Sequence, residues 1–380
     1  MTSFEQDDDL VTAEIADRHT DATRTITARY LVGADGASSF VRSALGVNME
    51  DLQGTHRSLI IDLWPLASKP NLPETYGFYI CERENPLIYL PIQKPMQRFE
   101  FMLRDHHDTE EYERPSTVYR LMRRWYEPGE YRILRTDVYQ WHARIAEKWR
   151  VGRVFLAGDA AHLMPPMLGQ GMCSGLRDAF NLAWKLRAVL KAGADDSLLD
   201  TYQSERSDAV RPYVAESARQ AVMIETLGLQ DEQPEVTEPQ VIERYRPPLG
   251  PGLSVSEGAV GQLAPQPIDA DGARLDDLVG YQFLVVASDA DVAAVSEEVR
   301  ATWVAINAVV LDPGAGGLSA WLEGIGARNA IIRPDRYVFA VASDATELTD
   351  ATERIASRLS PVPEDARVGY TGESRQSRML

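Results

Sequence analysis

The segment GDAAHLMPPMLGQGMCSGLRDAFNLAWKL, residues 158–186, combines an acid, a loop shaped by proline and glycine, and an amphipathic run. The apolar run VFLA at residues 154–157 precedes it, so we predict a buried strand that ends at the acid. After the loop, the spacing predicts a helix whose apolar face is formed by Leu176, Phe180, Ala183, Leu186 and Leu190. We expect Arg177, Asn181 and Lys185 on the other side of this helix.

The predicted strand, loop and helix suit ligand binding at the loop. An acid at the carboxyl end of a strand can accept hydrogen bonds from a sugar or ribityl hydroxyl, and Asp159 occupies that position. Gly169 and Gly171 allow the backbone to approach a flat ring, and N–H groups at a helix start stabilise negative charge on a ligand. An ordinary strand, loop and helix with a structural aspartate would look the same, and spacing alone leaves both interpretations open.

The combination of GD, AAH, PP, GQG and RDAFNLAWKL resembles the second flavin-binding motif of the FAD-dependent aromatic hydroxylases, which have the para-hydroxybenzoate hydroxylase fold. The resemblance implies FAD and NAD(P)H as cofactors. It also implies that Asp159 holds the ribityl chain and that Pro166 shapes the ring site. The residues implied at the flavin in this segment are Gly158, Asp159, Pro166, Gly169, Gln170, Gly171 and the backbone of Met172.

A second segment, TARYLVGADGASSFVRSALGV at residues 27–47, is similar to the DG motif of the same family. The resemblance implies that Asp35 and Gly36 lie near the pyrophosphate and help to engage the nicotinamide cofactor. It places Arg42 where a basic residue often anchors this loop. Asp-Gly is also a common turn dipeptide, so the motif alone would indicate only a turn.

Further stretches resemble one branch of the family, the 3-(3-hydroxyphenyl)propionate hydroxylases and the related phenol and resorcinol hydroxylases. These stretches are VYQWHARIAEKWRVGRVFLAGD, SLLDTYQSER, GQLAPQP and IIRPDRYV. Members of the branch carry a C-terminal thioredoxin-like domain without working cysteines, and no cysteine follows Cys173 in this chain. We therefore expect no thiol-redox role for this domain, but a role in packing or in subunit contact within a homodimer.

The resemblance implies a mixed fold, α/β and α+β, in several domains. Residues 1–48 and 144–228 are expected to form parts of a truncated FAD-binding domain. Residues 49–143, rich in aromatic and strand-like runs, are expected to form an antiparallel substrate-binding sheet. A linker at 229–254 and a thioredoxin-like domain at 255–380 follow.

The family begins with a strand–GxGxxG–helix unit that binds the ADP half of FAD, and we find no such unit in this sequence. The run Gly314-Ala315-Gly316-Gly317 is similar, but Ser319 stands at the position of the third glycine. The chain is therefore expected to be a hydroxylase truncated at its N-terminus. An alternative is a non-catalytic remnant that acts only as a folded or dimerising module.

In this family the flavin, reduced by NAD(P)H, reacts with O2 to form a C4a-hydroperoxide, and a phenolic ring attacks its terminal oxygen. We expect the same reaction on a small phenolic compound. Tyr139 and His142 lie on a predicted strand leading to the flavin motif and are the candidates for the base. A lone histidine is more often structural, and we expect this of His162 as well. Cys173 is expected to be a small buried hydrophobe.

Composition supports a protein of ordinary globular type. The chain of 380 residues has 39 Lys and Arg against 57 Asp and Glu, a net charge of −18 that argues against a nucleic-acid partner. Two distant cysteines exclude a disulfide framework and a zinc ribbon. The sequence has no run of about 18 apolar residues and no signal peptide, so we expect a cytoplasmic protein without a membrane span. Asp105-His106-His107-Asp108 suggests a solvated turn rather than a metal site, and we expect no metal.

Overall fold

The computed structural model describes residues 1–69, 71–230, 246–268, 272–315 and 317–359. The chain divides into two compact units, which are Met1–Gly175 with Val210–Tyr245 and Leu176–Ala209 with Arg246–Leu380. Much of the expected linker at 229–254, the end of the expected C-terminal domain and Gly316 lie outside the described residues.

Three sheets and three short helices form most of the first unit. Its strands are β1 (Ser3–Gln6), β2 (Val11–Ala16), β3 (Thr23–Ala28), β4 (Leu31–Gly33), β5 (Met49–Pro65), β6 (Phe78–Ile80), β7 (Leu87–Pro91), β8 (Gln97–Leu103), β9 (Tyr131–Ala146), β10 (Arg150–Val151), β11 (Val154–Leu156) and β12 (His162–Leu163). Its short helices are α1 (Phe40–Ala44), α2 (Thr109–Glu113) and α3 (Pro115–Met122). The helices that follow, α4 (Gly171–Arg187) and α5 (Thr201–Leu227), each cross the boundary between the units.

The largest sheet has the strand order β12-β9-β5-β8-β7-β6 and is antiparallel at every pairing described. Side chains alternate between its two faces, as the period of a strand requires. On one face Leu59, Ile61, Phe99 and Phe101 pack in a core with α2 and α3. This agrees with the strand-like pattern of residues 49–143.

The second unit contains a four-stranded sheet with flanking helices. Its strands are β13 (Phe283–Val286), β14 (Ala308–Leu311), β15 (Asn329–Ile332) and β16 (Val338–Ala342), in the order β14-β13-β15-β16. Strand β13 is parallel to β14 and antiparallel to β15, and β15 is antiparallel to β16. The helices are α6 (Leu275–Val279), α7 (Asp289–Ala294), α8 (Glu297–Ala305), α9 (Ser319–Gly324) and α10 (Ala345–Leu359).

The second unit also contains a buried network of charged side chains. The Glu205 carboxylate lies 2.7 Å from Nζ of Lys185 and 2.8 Å from Nη2 of Arg333. Arg333 also contacts Asp335 at 2.6 Å, and Asn181 donates to Glu205 at 2.8 Å. The network joins three phrases that the sequence resemblance singled out: RDAFNLAWKL, YQSER and IIRPDRYV.

The predicted polarity of α4 is wrong. Leu176 and Phe180 are 52% and 49% exposed, whereas Asn181 and Lys185 are fully buried. Apolar spacing predicts the buried face only when the surroundings are apolar. Here, charged partners from distant parts of the chain make burial of the polar face favourable.

Three further sequence patterns differ from the structure. Proline ordinarily breaks or kinks a helix, but α5 continues through Pro212, and its neighbours Val210 and Val214 are fully buried. A long, packed helix can tolerate the loss of the one hydrogen bond that proline removes. The pattern at residues 303–311 indicates one strand, but its first part belongs to α8, and only β14 is a strand. The pattern at 330–341 indicates one strand, but the structure has two, β15 and β16, separated by a turn.

Candidate flavin and substrate site

Parallel pairing of β4 with β11 brings the two sequence motifs to one edge of a sheet. Leu31 pairs with Val154 and Gly33 with Leu156. Parallel strands end at the same edge, so the loop that contains Asp35 lies beside the loop that contains Asp159. The structure therefore brings together two segments that are distant in sequence.

Arg42 connects these two loops. Its Nη1 donates to the carbonyl oxygen of Ala160 at 2.9 Å, in the loop after β11. Its Nη2 donates to the carbonyl oxygen of Ala37 at 2.7 Å, in the loop after β4. Because one planar group bridges both backbones, replacing Arg42 would disturb both loops together.

Asp35 shapes the turn that leads into α1. Its carboxylate accepts hydrogen bonds from the hydroxyl of Ser39 at 2.5 Å and from the backbone N–H of Val41 at 3.0 Å. Partial burial opposes ionisation, but these bonds outweigh it and keep the pKa of Asp35 below its usual value. Gly36 follows with φ of +84°, a conformation that glycine adopts without strain.

The loop after β11 passes closely over the start of α4. A Cβ atom on Gly175 would lie only 3.2 Å from the Cα of Gly158, which itself has φ of +60°. Both positions therefore require glycine for the backbones to approach. Asp159, the next residue, is exposed at the carboxyl end of the strand. It is accessible to a hydroxylated ligand.

The remaining residues implied at the flavin follow in one short stretch. Pro166 begins a single 3-10 turn, and Gly169 ends it with φ of +61° and open space where a Cβ atom would lie. The carbonyl of Gln170 accepts from Ser174, and α4 begins at Gly171 with no acidic residue in its first turn. Met172 is 77% exposed. Open glycines, first-turn N–H groups and an exposed acid fit a flavin with a ribityl chain.

The large sheet separates the two candidates for the base. Tyr139 and Trp141 lie on the face opposite α2 and α3, where they pack with Met102 and Ile224. His142 is on the other face, and its Nδ1 lies 2.8 Å from the hydroxyl of Thr55. Burial, followed by the nearby Arg144, lowers the pKa of His142. His142 and Tyr139 therefore do not form one site.

Sequence reasoning missed Glu100, which lies on the same sheet face as Tyr139. Its carboxylate accepts the hydroxyl of Tyr139 at 2.6 Å and is only 2% exposed. Burial raises the pKa of Glu100, and the bonds from Tyr139 and Ser58 oppose that shift only in part. The one indication in the sequence was an acid within the otherwise apolar run FEFML.

The other residues considered from sequence lie apart from this face. His162 is 1% exposed and stacks on Trp149, with ring centroids 5.3 Å apart. Cys173 is only partly buried, in the first turn of α4. Within the described ranges, ligand atoms of Glu84, His106 and His107 gather within 4.8 Å of one another.

That histidine cluster is organised by hydrogen bonds. Nδ1 of His107 accepts the backbone N–H of Arg104 at 3.1 Å, so in the neutral ring the proton is on Nε2. Nε2 faces the carboxylate of Glu84 at 3.6 Å and the hydroxyl of Tyr112 at 3.3 Å. A metal at Nε2 would require this proton to leave.

The chain belongs to a family of flavoproteins. The family described as "FAD binding domain" matches residues 1–217, which include both motif loops and the large sheet. The predicted resemblance to FAD-dependent hydroxylases is therefore confirmed. None of the helices in the described part of the chain has the length and hydrophobicity needed to span a bilayer.

Two curated relatives are similar over most of the chain. The probable NADH-specific resorcinol 4-hydroxylase of Rhodococcus jostii (strain RHA1) is 33% identical over 362 residues, covering 89% of this chain and 67% of the relative. The 3-(3-hydroxy-phenyl)propionate/3-hydroxycinnamic acid hydroxylase of Shigella sonnei (strain Ss046) is 30% identical over 414 residues, covering 97% of this chain and 74% of the relative.

Solved structures have the same fold. The flavin-dependent monooxygenase PieE, in complex with FAD and substrate, superposes with a TM-score of 0.74 at 20% identity, over 94% of this chain and 74% of that one. Aklavinone-11 hydroxylase, in a ternary complex with FAD and aklavinone, gives a TM-score of 0.70 at 26% identity, over 94% and 73%. The chain thus has the mixed α/β fold of the FAD-dependent hydroxylases.

Proposed function

We propose that this protein is a flavin-dependent monooxygenase that hydroxylates a phenolic aromatic compound with NAD(P)H and O2. The observation that supports this most directly is the pairing of β4 with β11, because it places the DG and GD loops side by side. The relatives named above are hydroxylases of phenolic compounds. They favour this function over that of a non-catalytic module.

The loops after β4 and β11 would hold the FAD. Asp159 would accept hydrogen bonds from ribityl hydroxyls, while Asp35, Gly36 and Arg42 would shape the pyrophosphate side. The stretch from Pro166 to Met172 would bring backbone N–H groups to the ring, where they stabilise negative charge. When bound, the flavin supplies electron transfer from NAD(P)H and the activation of O2. The protein's residues orient the ring and exclude water.

The face of the large sheet that contains Tyr139 would receive the phenolic ring. It adjoins the loop after β11, because the Tyr79 hydroxyl donates to the carbonyl oxygen of Met167 at 3.4 Å. Tyr139 is the better of the two candidates for contact with the substrate hydroxyl, since His142 lies on the opposite face. The aromatic and sulfur-containing side chains around it suit a flat apolar ring.

The C-terminal part of the chain would be a thioredoxin-like domain. In chain order its strands form a parallel pair followed by an antiparallel pair, with the second strand at one edge, and a helix ends the described part. We keep the domain boundaries expected from sequence as part of this proposal, together with a homodimer and a cytoplasmic location. No cysteine lies beyond Cys173, so a dithiol role is not part of it.

The first test is FAD binding to Asp159→Ala, followed by flavin fluorescence. Loss of a charge-assisted hydrogen bond should weaken FAD binding by about ten- to a hundredfold. Asp105→Ala removes an exposed acid of a distant turn and should leave the affinity unchanged. Unchanged affinity of Asp159→Ala would remove this residue from the site. Consumption of NAD(P)H that no phenolic compound stimulates would contradict the function itself.

A further inference from the structure

The sheet face that contains Tyr139 has a buried carboxylate bound by hydroxyl groups. Tyr139 donates to Glu100 at 2.6 Å, and Ser58 forms a second side-chain hydrogen bond to it. Nε1 of Trp141 donates to the Ser58 oxygen at 3.2 Å, which leaves the Ser58 proton for Glu100. Glu100 therefore has two hydroxyl groups that can donate to its carboxylate.

Two arginines on this face are each paired with an aspartate, and the pair of Arg135 with Asp137 measures 2.6 Å. Arg98 forms a two-point pair with Asp62, at 2.7 and 2.9 Å. Arg104 donates to main-chain carbonyls of residues 82, 83 and 225, and Nδ1 of His56 lies 3.0 Å from Glu225. Arg98 also attracts the carboxylate of Glu100, but its pair with Asp62 leaves that carboxylate only partly compensated. The centre of the face therefore keeps a net negative charge.

Tyr139 would contact the ligand directly, and Glu100 would act on the ligand through its hydrogen bond with Tyr139. Burial and the adjacent Glu100 raise the pKa of Tyr139 well above its usual value, so it stays a hydroxyl. Its hydrogen points to Glu100, which leaves the lone pairs of its oxygen as acceptors. Tyr139 is half-buried, and it packs against the same apolar cluster as Met167, which lies in the loop assigned above to the flavin ring.

We infer that this face selects a neutral polyhydroxylated phenol, of the resorcinol type, and disfavours phenolic acids. A substrate hydroxyl would donate to the Tyr139 oxygen, and Glu100 would act as a positioning residue that fixes the direction of that bond. A substrate carboxylate would meet the charge of Glu100, which Arg98 offsets only in part, in a region of low dielectric constant. The inference rests on the proposed function, since it assigns the substrate class of the same site.

The test compares two ligands that share a meta-hydroxyphenyl group, resorcinol and 3-(3-hydroxyphenyl)propionate. Calorimetric titration of the whole chain equilibrated with FAD should show resorcinol binding about tenfold more tightly than the acid. In Glu100→Gln this ratio should fall by about tenfold, because the acid no longer meets a charge. Tyr139→Phe should weaken resorcinol binding by about tenfold through loss of the acceptor.

Tyr126→Phe is the matched control. It removes a buried tyrosine hydrogen bond, to Gln97 at 2.9 Å, on the opposite face of the same sheet, and the ligand ratio should not change. Equal or reversed preference in the wild type, or binding of neither ligand, would overturn the inference. So would an unchanged ratio in both Glu100→Gln and Tyr139→Phe, each checked for native circular dichroism.

Failure of the proposed function would look different. In that case resorcinol would bind with the expected preference, yet neither compound would stimulate oxidation of NAD(P)H. If instead the phenolic acid were bound more tightly and stimulated oxidation, the function would stand and the inference about substrate class would fall.

Discussion

Two buried glutamates, one in each unit, have pKa values that are shifted in opposite directions. Glu100 and Glu205 are 2% and 1% exposed. Glu205 is held between Lys185 and Arg333, and these cations outweigh burial and keep its pKa well below the usual range. Glu100 has hydroxyl donors instead, and burial prevails, so its pKa is raised. The same residue at the same depth is thus shifted in opposite directions by its partners.

The difference separates a structural role from a functional one. A buried carboxylate with two cations in contact is satisfied and has no acceptor capacity to spare for a ligand. A buried carboxylate held mainly by hydroxyl groups keeps a poorly compensated charge, and such perturbed groups are concentrated at functional sites. The comparison assigns Glu205 to the stability of the second unit and Glu100 to the site of the first.

Among the substitutions considered for the two glutamates, Glu205→Gln should lower the free energy of unfolding the most. The substitution leaves Lys185 and Arg333 buried with less compensating charge, and removal of one partner of a buried ion pair costs about 3–5 kcal/mol. Denaturant unfolding followed by circular dichroism measures the change. Glu216→Gln, in the exposed pair with Arg219 on the same helix, should cost about 0–1 kcal/mol. Equal effects of the two variants would contradict the structural role of Glu205.

The next largest effect is a pH dependence that Lys185 should produce. Burial lowers its pKa from 10.5 to about 8. Between these values the unfolded chain binds a proton that the folded chain has lost, so stability rises with pH. Across that window the wild type should gain up to about 3 kcal/mol relative to Lys185→Met. Lys191→Met, at an exposed lysine, should show no such difference. Parallel curves for wild type and Lys185→Met would refute the assignment.

Glu100→Gln should change the free energy of unfolding only slightly. Glu100→Gln keeps acceptor capacity but removes a poorly compensated charge, so at neutral pH its stability should stay within about 1 kcal/mol of wild type. The folded pKa of Glu100 lies above the ordinary 4.5, so wild-type stability should rise as pH falls through the folded value. The free energy of unfolding of Glu100→Gln, relative to that of wild type, should therefore fall as the pH is lowered toward 4.5. Thermal unfolding at several pH values measures this difference, and a rise in it would be inconsistent with a buried carboxylate.

Local sequence patterns predicted the elements that are determined by residues close together in the sequence. The apolar run ending at Asp159, the glycines after it and the strand-like runs within residues 49–143 predicted the strands, loops and helix start correctly. The same patterns gave the wrong face of α4, because the partners of Lys185 come from Glu205 and Arg333. No periodicity within α4 contains that information. Only contacts between distant segments reverse the polarity of a helix.

The candidate site was predictable to a similar extent. The cofactor side is built from contiguous motifs, so its residues could be named from the sequence, and their roles stay predictions. The substrate side depends on cross-strand neighbours, and Glu100 meets Tyr139 across 39 positions of sequence. Strand parity alone could have separated Tyr139 from His142. It could not have shown that an acid on another strand would accept the tyrosine proton.

The neighbouring strands β4 and β11 are separated in the chain by five of the six strands of the large sheet, β5 to β9. Closing so long a loop costs chain entropy before any contact forms, and folds dominated by such contacts assemble slowly. The two cofactor loops should therefore meet late, after β5 to β9 have paired. A ligand that bridges them binds the finished arrangement and not its precursors. FAD would then stabilise the product of the last folding step, and when FAD is scarce, chains whose two cofactor loops have not yet met would persist for longer.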